Sequence, residues 1–484
     1  MLWSICRLVL TASMLACLSA PATSQVTFTN RIFVTGPEPT NVVSGDFNRD
    51  GLPDLAVTDQ IAGSVTILLG VGGGSFAFGQ EISTGLNPTQ IVTGDFNHDG
   101  NLDLAVALSE ADAVEILLGN GNGTFHQGIS IALDGNPFAM VAADFTHTGV
   151  PDLAIIEHTP ADTFTLKIFH SNGNGTFTRA QAIPLPGKPI FSGLMVTDDF
   201  NIDGLPDLAV ATDTTIMVFT DSPNGTLHLH SVVSPPNTGS IVGLAAGRLT
   251  PGAAPDLVVR VFDNVNDTSS PNSIYAFLNT GSGTFHLKSR VSTAGFGGSV
   301  YLADVDGDGL ADLINVGGNF RNGTVDIALG HGDGTFAAPV TVENNIIGSL
   351  GGLVARDLNL DSRHDLAIAG DEGLGTGDEA THVLINQNAR ANCDPPPSSS
   401  LAVRICSPAA NAGVRSTFTV TAGGNSPEGV KRMELWVDGV KRAQNFSDQL
   451  RATVKVSLGT HRVTVVGVDL YDNLVKMPIL VHAF

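Results

Sequence analysis

The sequence predicts an all-β protein, a seven-bladed β-propeller followed by a small immunoglobulin-like β-sandwich. Three observations predict it. An Asp-rich segment recurs seven times along the chain, and the last Asp of the copies falls at 54, 103, 152, 207, 256, 312 and 365, in steps of 49 to 56 residues. A Gly-rich turn ending in Phe recurs beside it, which gives about four short strands per period, the arithmetic of a propeller blade. Beyond residue 401 the composition changes and strand-like alternation continues for fewer than 90 residues.

Residues 1–22 read as a secretory signal. Arg7 precedes the apolar run Leu8–Leu18, and Ala20-Pro21-Ala22 offers a small-x-small cleavage site. The run is too short for a bilayer, which needs about 20 apolar residues, and no later stretch reaches that length. Lipidation at Cys17 is the alternative, so the expected location is extracellular, free or at the cell surface. Cys6 and Cys17 leave with the signal. Cys393 and Cys406 remain as an even pair, for which export favours a disulfide over two free thiols.

The charge narrows the class. The chain has 484 residues with 24 basic and 47 acidic side chains, net −23, but only 15% of residues are charged and 42% are apolar. That combination opposes disorder. Residues 1–400 hold 14 Lys and Arg against 41 acids. They cannot supply the basic stripe that displaces counterions from nucleic acid.

Within one period the first strand, 41–45, leads into the Asp-rich loop, and the second, 55–58, leaves it. The third, 64–69, precedes Gly-Val-Gly-Gly-Gly-Ser-Phe76, and the fourth runs through 76–83. Asn-Gly and Asp-Gly favour turn residues with positive φ, which join antiparallel neighbours. Copy seven stops after its third strand, 382–386, whereas the segment from Thr27 to Phe33 supplies a strand with no blade of its own. That strand is expected to complete the last blade, so the propeller spans 23–390 and closes without a free edge. A Pro/Ser linker, 391–400, follows. Residues 401–484 carry 10 basic against 6 acidic side chains, and runs at 417–421, 433–437, 453–456 and 461–468 suggest six or seven strands.

The loops carry the chemistry. Counting from Asp46, side-chain oxygens fall at positions one, three, five and nine (Asp46, Asn48, Asp50, Asp54), with Gly51 at six and the carbonyl of Leu52 at seven. This is calcium-loop spacing: calcium takes six to eight hard oxygens at about 2.3–2.6 Å, and the glycine permits the bend. Position twelve is Val57 and the flanks are strands, so the loop is not an EF-hand. The same set recurs as Asp95, Asn97, Asp99, Asn101 and Asp103; as Asp199, Asn201, Asp203, Leu205 and Asp207; as Asp304, Asp306, Asp308, Leu310 and Asp312; and as Asp357, Asn359, Asp361, Arg363 and Asp365. In the last, Ser362 replaces the glycine. The competing reading is a cluster of Asx turns with no metal. Against it, three carboxylates within a few ångströms repel by several kcal/mol at an effective dielectric near 20, and a divalent cation removes that repulsion. About five Ca2+ ions are therefore expected, taking the net charge from −23 to about −13. Copy three keeps only Asp144 and Asp152, and copy five keeps only Asp256, with Arg248 as a possible fixed cation.

The D-x-[DN]-x-D-G-x-x-D loop beside G-x-G-x-F turns resembles the FG-GAP (VCBS) repeat of integrin α-subunit propellers and many exported bacterial proteins. The resemblance covers residues 26–390. It implies a seven-bladed propeller with structural calcium in hairpin loops on one face and ligand binding elsewhere. The C-terminal part is similar to bacterial Ig-like modules.

No G-x-S-x-G, H-E-x-x-H or P-loop motif occurs, and the 13 His are scattered, with His98 and His147 expected as solvated side chains at variable loop positions. The expected function is non-catalytic: a monomeric binding or adhesion module for an extracellular protein or carbohydrate. A polysaccharide lyase on a propeller scaffold is the alternative. It would need a Lys, Arg or His base beside acid-neutralising groups.

Overall fold

The computed structural model describes residues 26–187, 194–222, 224–236, 239–250, 254–262, 272–293, 298–306, 310–319, 322–346, 350–361, 363–370, 380–387, 401–407, 412–414, 416–425, 430–445, 449–470 and 473–483. The expected signal, the Pro/Ser linker, Cys393, Asp308 and Ser362 lie outside them, as does the side chain of Cys406. The described residues form strands and turns, with no helix. None of their segments is a helix long and apolar enough to cross a membrane.

Seven four-stranded antiparallel sheets make up the propeller. Blade one is Pro39–Gly45, Asp54–Asp59, Ser64–Gly72 and Ser75–Ser83, hydrogen-bonded in chain order. The first strand of every blade is innermost. These strands, Pro39–Gly45, Pro88–Gly94, Asn136–Ala143, Met195–Asp198, Ser240–Gly247, Val300–Ala303 and Leu350–Arg356, touch one another in sequence, and the last touches the first. The ring is closed.

Burial explains the strand composition. The second strand of blade one, Asp54–Asp59, is buried at all six positions because neighbouring blades cover both of its faces. A strand buried on two sides reads as a continuous apolar run rather than an alternation, hence Leu-Ala-Val in copy after copy. The core accordingly sits between blades: Phe47, Ala56, Val65 and Ile67 pack with Ile91, Leu104, Leu117 and Phe125 of the next blade.

The N-terminal strand, Phe28–Val34, pairs antiparallel with Ala380–Asn386, from Phe28 opposite Asn386 to Val34 opposite Ala380. It is the fourth strand of blade seven. It also bridges to blade one: Arg31 donates to the Gly73 carbonyl at 2.7 Å, and Phe33 meets Phe76 edge-on at 5.3 Å.

The C-terminal domain holds eight strands among the described residues rather than six or seven. Three lie in one sheet and five in the other, ordered Ala412–Val414, Leu474–Ala483, Gly459–Asp469, Val430–Val437, Val440–Asn445. One addition is the short parallel strand Ala412–Val414. The other is the hairpin at Asp438-Gly439, both with positive φ, a two-residue turn that the Asp-Gly pair favours. A shared core including Val420, Leu435 and Val465 fills the space between the sheets.

Deleting residues 26–34 should leave Ala380–Asn386 as an open edge and detach blade seven from blade one. The truncated protein should aggregate and melt at a lower temperature. A soluble truncation with an unchanged melt, measured by light scattering and calorimetry, would show that closure does not depend on this strand.

Candidate metal loops and their carboxylate staple

Because each blade is a simple antiparallel sheet, the connection from first to second strand and the turn from third to fourth lie at the same end. The Asp-rich loops and the Gly-rich turns therefore share one face of the disc.

Loops one to four share one conformation, and the described part of loop seven follows it. Position four is left-handed at Arg49, His98, His147, Ile202 and Leu360, with φ between 55° and 61°, and position six is glycine at 82° to 87° in Gly51, Gly100, Gly149 and Gly204. An L side chain at position six would be strained there. The first Asp closes the curl. Its carboxylate accepts from the amides of positions five and six: Asp46 from Asp50 at 3.1 Å and Gly51 at 3.0 Å, Asp95 from Asp99 and Gly100, and Asp199 from Asp203 and Gly204. Asn48 and Asp50 add Asx-type bonds of their own, to the amides of Asp50 and Leu52. Loop three lacks acids at positions three and five, yet Asp144 makes the same two bonds, to Thr148 at 2.9 Å and Gly149 at 2.7 Å. The curl thus persists where, of the loop's acids, only Asp at position one is kept, together with Gly at six.

The ninth residue does something different. Asp54 is fully buried; Oδ2 accepts from the Phe47 amide at 2.8 Å and Oδ1 from the Gly70 amide at 2.7 Å. One carboxylate clamps the Asp-rich loop to the end of the third strand. Asp103 bridges Phe96 and Gly119, Asp207 bridges Phe200 and Asp221, Asp312 bridges Val305 and Gly330, and Asp365 bridges Leu358 and Asn386. The eroded copies keep it: Asp152 bridges Thr146 and Ser171, and Asp256 bridges Leu249 and Asn279. Burial pushes Asp54, Asp103 and Asp207 up to about 6, Asp312 up to about 7 and Asp365 up to about 8, against the pull of the donated N–H bonds.

An ionised carboxylate has about four lone-pair directions, so two amide bonds leave room for a cation. Among the described residues, Asp304, Asp306 and Asp312 each bring a carboxylate oxygen within 4.8 Å of the others. This loop has Asp at position three, where the loops starting at Asp46, Asp95, Asp199 and Asp357 have Asn. An all-oxygen, acidic donor set of this kind suits a hard divalent cation. In the Asn-bearing loops, Asn48, Asn97 and Asn201 turn Nδ2 toward Asp50, Asp99 and Asp203 at 2.8 to 3.1 Å. The position-seven residues, Leu52, Asn101 and Leu205, donate their amides to the position-five carboxylate. Arg363 of loop seven places its guanidinium on Asp361.

Contacts between blades are built from the same loops. The carbonyl of the second loop residue accepts from a turn glycine of the next blade: Phe47 from Gly123 at 3.0 Å, Phe96 from Gly175 at 3.0 Å and Phe200 from Gly283 at 2.9 Å. A Cβ on Gly123 would stand 2.7 Å from Leu69. The second-position Phe also meets the Phe after that turn edge-on, as in Phe47–Phe125 at 5.3 Å and Phe96–Phe177 at 5.6 Å. Two details escape sequence reasoning. His147 is not simply solvated, since its Nε2 lies 3.4 Å from buried Asp221 of the next blade. Arg248, at the start of loop five, is exposed.

Asp256→Asn should cost about 2 to 4 kcal/mol, because an amide group cannot accept both N–H bonds, and the loss should be the same with calcium or chelator in a denaturant titration. A cost that vanishes in chelator would make this residue a ligand rather than a clamp. For the raised carboxyl groups the folded state holds the proton more tightly than the unfolded one. Their contribution is complete below about pH 4 and is lost as pH rises through about 6 to 8. Added calcium should therefore raise the melting temperature more at pH 7.5 than at pH 5; an equal rise at both would contradict coupling between cation and these carboxylates.

The description "FG-GAP-like repeat" matches residues 46–106, 100–155 and 253–315, and "Bacterial Ig domain" matches 402–465. No curated protein matches the chain. A crystal structure titled BBS1N in complex with ARL6DN, soaked with lead, is 13% identical with a TM-score of 0.52. The match covers 76% of this chain and 98% of that one. At that identity it speaks for the fold alone. A Lactobacillus plantarum protein (12% identity, TM-score 0.47, 64% and 86% covered) and a functionally unknown Desulfotomaculum acetoxidans protein (12%, 0.46, 66% and 89%) are also similar. The chain carries FG-GAP-like repeats, folded as a β-propeller, followed by a bacterial Ig domain.

Proposed function

We propose that this chain is an exported, calcium-binding, non-catalytic binding or adhesion module. Calcium sits in the loops starting at Asp46, Asp95, Asp199 and Asp304, and the disc presents its surface to an extracellular protein or carbohydrate. The observation that carries the calcium reading is the meeting of Asp304, Asp306 and Asp312 within 4.8 Å. Asp312 is fully buried, and its carboxyl is already pushed up to about 7. Three like charges at that separation oppose one another by several kcal/mol at an effective dielectric near 20, and a divalent ion reverses the sign of that term. A disc stiffened in this way suits display: the loops lose little freedom when a ligand docks, so less ordering entropy opposes binding.

The buried Lys167 is paired with Glu157 and Asp134, at 2.6 Å each, rather than offered as a base.

Calcium that binds only the folded chain stabilises it by mass action, so chelation should lower the melting temperature by several degrees. An unchanged melt would count against structural metal. A glycan array and a cell-surface binding screen, each with and without chelator, test the binding role. Product formation from pectin-like polymers would replace it with the lyase reading.

A further inference from the structure

Loop seven has the spacing of its counterparts but not their surroundings. Asp50, Asp99 and Asp203, at position five of loops one, two and four, are exposed; Asp361 at the same position has 0% exposure. Asn359 and Arg363 beside it are also buried.

Two features account for the difference. The first is charge. Asp361 Oδ2 accepts from Asn359 Nδ2 at 3.1 Å, from Arg363 Nε at 3.0 Å and from the second guanidinium arm of Arg363. Its Oδ1 accepts from the Arg363 amide at 2.9 Å. Three donors on Oδ2 use up the lone pairs a cation would need, and a guanidinium cannot lose its proton to make way. Position seven is Leu52, Asn101, Val150, Leu205 and Leu310 in the loops of blades one to four and six, so the arginine is particular to this one. The second feature is cover. Asn445, the last residue of the strand Val440–Asn445, donates Nδ2 to the carbonyl of Leu360 at the loop's left-handed position four. That strand is the outermost of the five-stranded sheet of the C-terminal domain.

We propose that the loop at Asp357–Asp365 is an interdomain joint rather than a cation site. Arg363 supplies the positive charge inside the loop, and the C-terminal Ig domain docks its edge strand on the outside. Docking fixes the Ig domain on the metal-loop face of blade seven, the blade that the N-terminal strand completes. The N-terminal strand and the C-terminal domain thereby meet on one blade. The contrast with the other loops rests on the calcium reading above, whereas the docking does not.

Amide hydrogen exchange on the full chain, read by peptide in calcium and in chelator, tests both parts. Calcium should slow exchange in 46–54 and 95–103 by about tenfold or more and leave 357–365 unchanged. Asn445→Ala should speed exchange in 357–365 by about tenfold and leave 46–54 unchanged. Calcium protection of 357–365 in parallel with 46–54, or unaltered exchange there in Asn445→Ala, would overturn the joint. If no loop responds to calcium, the calcium reading fails and the Asn445→Ala arm alone decides the docking.

Discussion

One buried carboxylate per blade holds this propeller in shape. Where the first strand ends and the third strand ends, the chain leaves sheet pairing at adjacent points on one face, and each end presents an amide with no ladder partner. Such groups must be satisfied when buried. Aspartate answers both at once, because its two oxygens diverge enough to reach one amide each. The bonds lie between 2.7 and 2.9 Å in every blade. Charged acceptors make the stronger hydrogen bonds, which offsets part of the cost of burying the charge.

The rest of the architecture is registered on that clamp. In blades one, two and four it fixes the second loop residue, a Phe whose ring packs on the aromatic of the following blade and whose carbonyl accepts from a glycine amide of the same turn. Blade thus locks to blade through groups within one or two residues of the clamp. The N-terminal strand extends the scheme across the seam with Arg31 and Phe33. The cation loops are an elaboration on this frame. Loop three demonstrates it: without acids at positions three and five it keeps the curl, and its ninth Asp still spans two amides, with Thr146 at position three as the donor in the loop.

Much of this was legible in the sequence. The period, the Gly-rich turns and the unpartnered segment at Thr27–Phe33 together specify the closed ring, because strand count and edge pairing follow from chain order alone. The role of the ninth Asp was harder. Its persistence at Asp152 and Asp256, in copies that lack the acids of positions three and five, was visible and points to backbone rather than metal. Spacing, however, cannot show which amides a buried carboxylate faces. The contacts of His147 with Asp221, and of Asn445 with Leu360, join residues 74 and 85 positions apart with no periodic signal. Arg363 at a position expected to offer only a carbonyl turns its side chain back onto Asp361, a choice set by local burial. The Asp438-Gly439 hairpin was readable from its turn chemistry and adds the edge strand on which the C-terminal domain meets the propeller.

A high-resolution crystal structure of the chain stripped of divalent ions tests the clamp most directly. All seven ninth-position carboxylates should still span their two amides at hydrogen-bonding distance. Carboxylates swung out of the third-strand amide, leaving the blade ends unpinned, would mean that metal rather than aspartate organises the disc.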